Sequence, residues 1–278
     1  MNVLTKSLCS SRFASNNTKE SSARLINKLS NLGFDVQRHE LMYLHPNLSV
    51  APDLHLTFSV PRSGRFEGAQ VRRQRRPSPL LLLEDIAREE FDGIPTGEPN
   101  NAVVIGLSPT SFRYELVGLN KAFHLILNGA PLIAAHKAQF CTEKEGEVIL
   151  GPGAFITGLE YATGTTATIV GKPSRSFYEL ALKDIGCLDC PQEVVMIARK
   201  PSVSRVLICP RLQTGDNIRT DFGHGAHELG LIRYLVKTGY YRDGDESKSD
   251  ENGVHGVDGI FDNFGSVVNH IVGGGSSA

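Results

Sequence analysis

Two aspartates five residues apart, Asp216 and Asp221, follow an apolar run and a glycine at position 215. We expect the run to be a strand of a parallel sheet, and open α/β sheets bind ligands at the carboxyl ends of such strands. Carboxylate oxygens suit Mg²⁺, which takes one or two carboxylates together with substrate oxygens and water. Asp216, Asp221 and Asn217 are therefore candidate magnesium ligands, and the alternative is an ordinary Asp-Asn turn that caps a helix.

Two further groups of residues could bind a phosphate. Lys172 stands in a Gly-Lys-Pro sequence after a short apolar run, and a lysine fixed at a strand end can neutralise a phosphate or an aspartyl-phosphate. Ser15 and Asn16 stand between a predicted strand and a predicted helix, where a hydroxyl and backbone N–H groups make an anion site. Taken alone, these patterns favour the simpler alternatives, a solvated loop lysine and a helix N-cap at Ser15 or Thr18.

Other candidates for chemistry are weaker. Cys187 and Cys190 form a single CxxC pair, which without a second pair indicates zinc only weakly. His136 and Lys137 follow a predicted strand and could line a substrate pocket, although an exposed loop pair is the simpler interpretation.

The elements that must position these residues alternate between strand-like and helix-like patterns, which predicts an α/β class with a largely parallel sheet. Residues 13–34 read as a strand, a polar turn and a helix, and residues 43–79 read as an irregular insertion rich in proline. Strands are predicted at 80–83, 101–107, 131–135, 167–170, 193–197, 205–209 and 234–236, and helices at 116–127, 153–163, 174–185, 226–229 and 267–271.

Composition excludes several classes of protein. The 278 residues are 40% hydrophobic, so wholesale disorder is excluded, and 29 basic against 30 acidic residues give no electrostatic argument for a nucleic-acid or acidic-membrane partner. No run approaches the roughly 18 apolar residues that a membrane span needs. Five cysteines, an odd number, favour reduced thiols. We expect a soluble cytoplasmic protein.

The candidate motifs occur in the order Ser15-Asn16, then Gly171-Lys172-Pro173, then Gly215-Asp216-Asn217 with Asp221. This order resembles motifs two, three and four of the haloacid dehalogenase superfamily, in its NagD-like branch, and segments 101–107, 128–134 and 159–163 carry the same resemblance. The resemblance covers about residues 12–42, 71–197 and 215–273.

The resemblance implies a Rossmann-like core at residues 1–42 and 165–278, with the insertion at 43–79 and an α/β type-two cap at 80–164. It also implies Mg²⁺-dependent hydrolysis of a small phosphorylated molecule or a phospho-amino acid through an aspartyl-phosphate. A homodimer is a further expectation from the family, and no nucleic-acid or membrane partner is implied.

The same resemblance assigns roles to the candidate residues. Ser15 would hold the transferring phosphoryl group and Asn16 would support it. Lys172 would stabilise the aspartyl-phosphate as the catalytic cation. The three candidate magnesium ligands named above would position the metal ion.

The sequence departs from the family in its first motif, an Asp-x-Asp or Asp-x-Ser that precedes motif two, because the first aspartate here is Asp35. We therefore expect this chain to lack the nucleophile and to be inactive or a truncated isoform. One alternative is an active phosphohydrolase whose catalytic strand comes from a full-length isoform. Another is a non-enzymatic scaffold that uses the cap surface.

An irregular insert at residues 198–214 is a second departure, because it separates an apolar run from Gly215. The missing first segment is the family's central strand, and one of the two apolar runs, 193–197 or 205–209, could fill its place. We expect residues 205–209 to be the strand that leads to Gly215.

Overall fold

A computed structural model describes residues 11–16, 18–43, 78–112, 114, 118–142, 148–191, 194–199, 203–208, 214–215, 224–238, 241, 243–247 and 257–272. The chain divides into two units. The first takes residues 1–17, 26–44 and 171–278, and the second takes residues 18–25 and 45–170. Within the described ranges, no helix is both long enough and apolar enough to cross a bilayer.

The described strands are β1 (Ser11–Ser15), β2 (Leu41–Tyr43), β3 (Pro79–Leu82), β4 (Ala102–Ile105), β5 (Leu132–Ala134), β6 (Phe140–Thr142), β7 (Val148–Leu150), β8 (Thr168–Ile169), β9 (Val194–Arg199), β10 (Val203–Ile208), β11 (Thr214–Gly215), β12 (Tyr234–Val236) and β13 (Gly259–Phe261). The described α-helices are α1 (Ser22–Asn31), α2 (Asp85–Arg88), α3 (Leu119–Leu127), α4 (Gly153–Thr163), α5 (Arg175–Asp184), α6 (His224–Glu228) and α7 (Phe264–Val272).

The first unit contains a seven-stranded sheet with the order β13-β12-β11-β9-β10-β1-β2. Its neighbouring strands pair in parallel except where β10 pairs with β9 and with β1, and both of those pairings are antiparallel. Six strands therefore run in one direction and β10 runs in the other. We call the side of this sheet at which β1 ends at Ser15 and β11 ends at Gly215 the carboxyl edge.

The structure corrects two expectations about residues 198–214. The segment is not irregular throughout, because it contains β10 and β11. The strand at 205–209 does not lie beside Gly215, since β10 lies between β9 and β1, and β9 pairs with β11 through Ile197 and Thr214. The physical reason is the short connection between β9 and β10, which joins them as antiparallel neighbours.

Helix α5 supplies much of the core of the first unit. Its side chains at 177, 178, 181 and 182 are buried and pack with Val194, Ala226 and Leu231. This spacing is that of one apolar helix face. Ser174 caps the helix, because its hydroxyl oxygen accepts a hydrogen bond from the Phe177 backbone N–H. The cap fixes the start of the helix at Arg175, three residues after Lys172.

The second unit contains a four-stranded parallel sheet with the order β3-β4-β5-β8. All residues of β4 and β5 are buried, as expected for central strands of a parallel sheet. Residues of α3 and α4 pack on it, among them Ala122, Ile126 and Ile156. Because β8 pairs with β5, residues 165–170 belong to this unit and not to the first, where the sequence placed them.

Candidate functional site

Ser15 lies at the carboxyl edge of the first unit's sheet and is completely buried. Between β1 and β11 the sheet has two intervening strands, β10 and β9, so the strand containing Ser15 and the strand containing Gly215 are three spacings apart. At the usual strand spacing this separation is roughly 14 Å. Both strands point the same way, so the hydroxyl-bearing strand and the strand that leads into Asp216 end on the same side of the sheet.

The side chain of Asn16 joins the end of β1 to the backbone of Lys172. The Lys172 backbone N–H donates to Asn16 Oδ1 at 2.9 Å, and Asn16 Nδ2 donates to the Lys172 carbonyl oxygen at 2.8 Å. A primary amide offers a donor and an acceptor side by side, so it pairs with a backbone residue as a neighbouring strand would. This pairing brings together three sequence-predicted residues, Ser15, Asn16 and Lys172, across 156 positions of chain.

The loop that carries Lys172 is also packed against helix α6. Lys172 is only 5% exposed. Helix α6 approaches the following residues so closely that a Cβ on Gly225 would lie 2.6 Å from the Pro173 carbonyl oxygen. Arg175 links the two helices, with Nε 2.6 Å from Glu179 and Nη1 3.4 Å from Glu228. The hydrogen bond to Glu179 raises the pKa of Arg175, so this link stays charged.

The candidate magnesium ligands, Asp216, Asn217 and Asp221, lie outside the described residues. The described residues on either side are Gly215 at the carboxyl edge and His224 at the start of α6. Within the described ranges, no group of three or more His, Cys, Asp or Glu side chains could hold a metal ion. The magnesium site therefore stays a prediction.

The predicted N-cap at Ser15 or Thr18 was wrong. Helix α1 begins at Ser22, and the Thr18 hydroxyl oxygen accepts a hydrogen bond from the Leu107 backbone N–H at 2.9 Å. Gly106 lies so close to Thr18 that an added Cβ would be 2.8 Å from Thr18 Oγ1. The Thr18 hydroxyl therefore packs against residues 106–107 and does not cap α1. Such tertiary demands override a local capping pattern.

The structure also revises the simpler interpretation of His136 and Lys137 as an exposed loop pair. His136 is buried, and Lys137 forms an ion pair with Glu160 at 2.6 Å. His136 therefore belongs to the packed interior of the second unit, and Lys137 lies part-buried beside Glu160. The structure adds one residue that sequence reasoning missed, Gly225, and its signal was a glycine directly before the helix predicted at 226–229.

Comparison with solved structures defines the class of protein. No family model matches the chain. The fold is similar to that of a p-nitrophenyl phosphatase from Archaeoglobus fulgidus, with a TM-score of 0.68 at 20% identity over 92% of this chain and 84% of that one. It is also similar to a 4-nitrophenylphosphatase from Thermotoga maritima, with a TM-score of 0.66 at 22% identity over 92% of this chain and 82% of that one. The chain is thus an α/β protein with the fold that these two structures share.

Sequence relatives identify the family. The chain is 43% identical over 237 residues to the human haloacid dehalogenase-like hydrolase domain-containing protein 2. The matched residues are 85% of this chain and 74% of that protein. It is 31% identical over 259 residues to the human phospholysine phosphohistidine inorganic pyrophosphate phosphatase, covering 92% of this chain and 78% of that protein. The chain belongs to the haloacid dehalogenase-like hydrolase family, and the resemblance to this family that was read from the motifs is confirmed.

Proposed function

We propose that the first unit binds the phosphate group of a small phosphorylated molecule, such as a phospho-amino acid, at its carboxyl edge. The observation that carries this proposal is the double hydrogen bond between Asn16 and the Lys172 backbone, which holds a lysine beside the buried Ser15. A hydroxyl donor and an ammonium group together recognise a phosphate oxygen. Membership of a family with phosphatase relatives supports the same assignment.

The roles of the three residues differ. Ser15 would donate its hydroxyl to a phosphate oxygen, and Lys172 would neutralise the phosphate charge. Asn16 is better assigned as a positioning residue, because its carbonyl oxygen and one of its amide hydrogens already bond the Lys172 backbone. Its contribution to phosphate binding then passes through the placement of Lys172.

We propose that Asp216, Asn217 and Asp221 hold Mg²⁺, since carboxylate and amide oxygens are the ligands that this ion takes in proteins. A bound Mg²⁺ would offset the charge of the phosphate oxygens. The proposal is supported by Gly215, the last described residue before Asp216, which lies at the carboxyl edge on the same side of the sheet as Ser15.

We propose further that the 278-residue chain binds its ligand without hydrolysing it by the family mechanism. The first aspartate of this chain is Asp35, so the chain offers no carboxylate nucleophile ahead of Ser15. Removing a nucleophile of this kind lowers the rate by several orders of magnitude. The chain would then act as an inactive member of a phosphatase family. An active form would require a polypeptide that also carries the catalytic strand.

A second candidate function is a binding or scaffold role for the second unit. Large apolar side chains are exposed on it, with Tyr161 92% and Tyr114 85% exposed, and Leu127, Leu150 and Phe140 about half exposed. Exposed apolar side chains of this size are common at protein interfaces. The same surface could join two copies of the chain as a homodimer. We also propose a cytoplasmic location, in which the thiols of Cys141 and Cys190 stay reduced.

The decisive experiment measures phosphate binding and hydrolysis on the same purified chain. Titration calorimetry with inorganic phosphate should show binding by the wild type, a large loss in Lys172→Gln, and wild-type affinity in the control Lys183→Gln, whose side chain is exposed on α5. Hydrolysis of p-nitrophenyl phosphate, with and without Mg²⁺, should stay at background. Equal phosphate affinity in Lys172→Gln and the wild type would contradict the binding site, and turnover by the wild type would contradict the non-hydrolytic assignment.

The scaffold role predicts a different result. Light scattering of the full chain should then report a dimer or a higher assembly, and Tyr161→Ser should weaken it while leaving phosphate binding unchanged. A monomer at all concentrations would contradict the proposed homodimer.

A further inference from the structure

The backbone at the end of helix α5 holds Cys187 in a fixed position. Gly186 follows the helix with φ of 74°, and its N–H donates to the Lys183 carbonyl oxygen at 3.1 Å. The Cys187 N–H donates to the Leu182 carbonyl oxygen at 2.8 Å. These two bonds form a Schellman motif, which an apolar contact between the residue after the glycine and the last helical turn commonly accompanies. Cys187 and Leu182 belong to the same apolar cluster, so the motif fixes the Cys187 side chain in the core of the first unit.

A turn brings Cys190 back toward Cys187. The Cys190 N–H donates to the Cys187 carbonyl oxygen at 3.2 Å, and Leu188 and Asp189 are the turn residues between them. The first and fourth Cα atoms of such a turn lie within about 7 Å of each other, and the Cα atoms of a disulfide usually lie about 4.4–6.8 Å apart. Cys190 also packs against the cluster that contains Cys187. The backbone and the packing therefore bring the two cysteines close enough for a disulfide.

The surroundings of the pair favour redox chemistry over a metal site. A structural zinc ion takes four ligands, and two cysteines supply only two of them. Among the residues that the structure describes, no group of three or more His, Cys, Asp or Glu side chains could hold a metal ion. The two thiols differ in access, because Cys187 is 8% exposed and Cys190 is more accessible. A small oxidant in solution therefore reaches Cys190 first.

We propose that Cys187 and Cys190 are a reversible redox modification site, in which hydrogen peroxide converts the two thiols to a disulfide. The Cys190 thiolate attacks one peroxide oxygen, the O–O bond breaks, and the products are a sulfenic acid on Cys190 and hydroxide, which takes up the thiol proton to become water. The Cys187 sulfur then attacks the sulfenic sulfur, the S–S bond forms, and the sulfenic oxygen leaves as a second water. One peroxide and two thiols thus give one disulfide and two waters, and an external dithiol reverses the change by exchange.

The test treats the folded full-length chain with hydrogen peroxide, blocks the remaining thiols with N-ethylmaleimide and maps the peptides by mass spectrometry. We expect a peptide in which Cys187 and Cys190 are joined and two hydrogens have been lost, and dithiothreitol should restore both thiols. Cys190→Ser should leave Cys187 open to the maleimide once the chain is unfolded. Cys141→Ser is the control and should leave the cross-link unchanged, because burial raises the pKa of the Cys141 thiol and slows its oxidation.

An equilibrium with glutathione tests the contribution of the fold and needs no variant. At a fixed concentration of reduced glutathione, the oxidised glutathione needed for half conversion should be about 10-fold lower for the native chain than for the same chain in urea, because the native turn already holds the cysteines together. Equal concentrations would overturn the proposal. Cys190 oxidised to sulfinic acid while Cys187 is still alkylated, or Cys190 joined to a different cysteine, would overturn it as well. None of these outcomes depends on phosphate binding, so the proposed function is tested separately.

Discussion

Replacement of Asn16 by alanine should release the backbone of Lys172. The substitution removes both hydrogen bonds to that residue, at 2.9 Å and 2.8 Å, and leaves its N–H and C=O groups without these partners in a part-buried site. A hydrogen bond contributes about 1 kcal/mol net, and an unsatisfied buried group costs about 1–3 kcal/mol. The expected loss is therefore about 2–4 kcal/mol of local stability.

Amide hydrogen exchange measures this loss at the residue concerned. The Lys172 N–H is protected by the Asn16 carbonyl oxygen, so its exchange should accelerate in Asn16→Ala by roughly 30-fold to 1,000-fold, the range that corresponds to 2–4 kcal/mol. Phosphate affinity should fall with it, since the lysine is no longer held beside Ser15. Asn31→Ala, at the exposed end of α1, is the matched control and should change neither quantity.

A second variant separates the amide's two bonds. Asn16→Asp keeps the acceptor for the Lys172 N–H but replaces the donor by an oxygen that faces the Lys172 carbonyl oxygen. We expect it to weaken phosphate binding as much as Asn16→Ala does, because two oxygens repel at this distance. The reasoning is refuted if Asn16→Ala leaves the exchange rate of the Lys172 amide within a factor of about two of the wild type, a change below 0.5 kcal/mol.

Further substitutions test the packing and the ionisation within each unit. Gly225→Ala should lower the free energy of unfolding by about 1–3 kcal/mol, because the added Cβ meets backbone atoms of the Lys172 loop. Gly158→Ala, in a helix with open space around that residue, should instead raise the free energy of unfolding by up to about 1 kcal/mol. Urea unfolding measures both variants, and equal effects of the two substitutions would contradict the packing argument. A double-mutant cycle on Lys137 and Glu160 should give a coupling of at least about 1 kcal/mol, above that of exposed pairs, since both side chains are largely buried. Burial, with a smaller contribution from a nearby carboxylate, raises the pKa of Tyr234 above its usual value. The unfolded chain therefore loses the Tyr234 phenol proton at a lower pH than the folded chain does, so the free energy of unfolding should fall as the pH rises above about 10. Tyr234→Phe should reduce this fall. Identical urea midpoints for the wild type and Tyr234→Phe across that pH range would refute the raised pKa.

Elements with a strong local pattern could be read from the sequence. Helix α4 has the predicted bounds, Gly153–Thr163, because Gly164 follows it with φ of 68° and donates its N–H to the Glu160 carbonyl oxygen. A glycine in the left-handed region is a usual helix end. Strand β12 also has its predicted bounds. In both cases the signal lies within a few residues of the element.

Features set by distant partners could not be read in the same way. The 205–209 run reads as a strand, but its direction and its place between β9 and β1 depend on register and not on its own residues. The bond between Asn16 and Lys172 joins positions 156 apart, and the local sequence around Asn16 suggested only a phosphate contact or a turn. The motif order identified the family and the residues of the candidate site, but the structure was needed to show that Asn16 holds the lysine.

The distance between the ends of β1 and β11 limits which ligand atoms the site can hold. Ser15 and Gly215 end strands about 14 Å apart, which is too far for a serine and an aspartate side chain to share one oxygen atom of a ligand. Asn16 holds Lys172 at the Ser15 side of this span. The proposed phosphate site therefore rests on Ser15 and Lys172 at the end of β1, and a ligand that also reaches the end of β11 must span more than one atom.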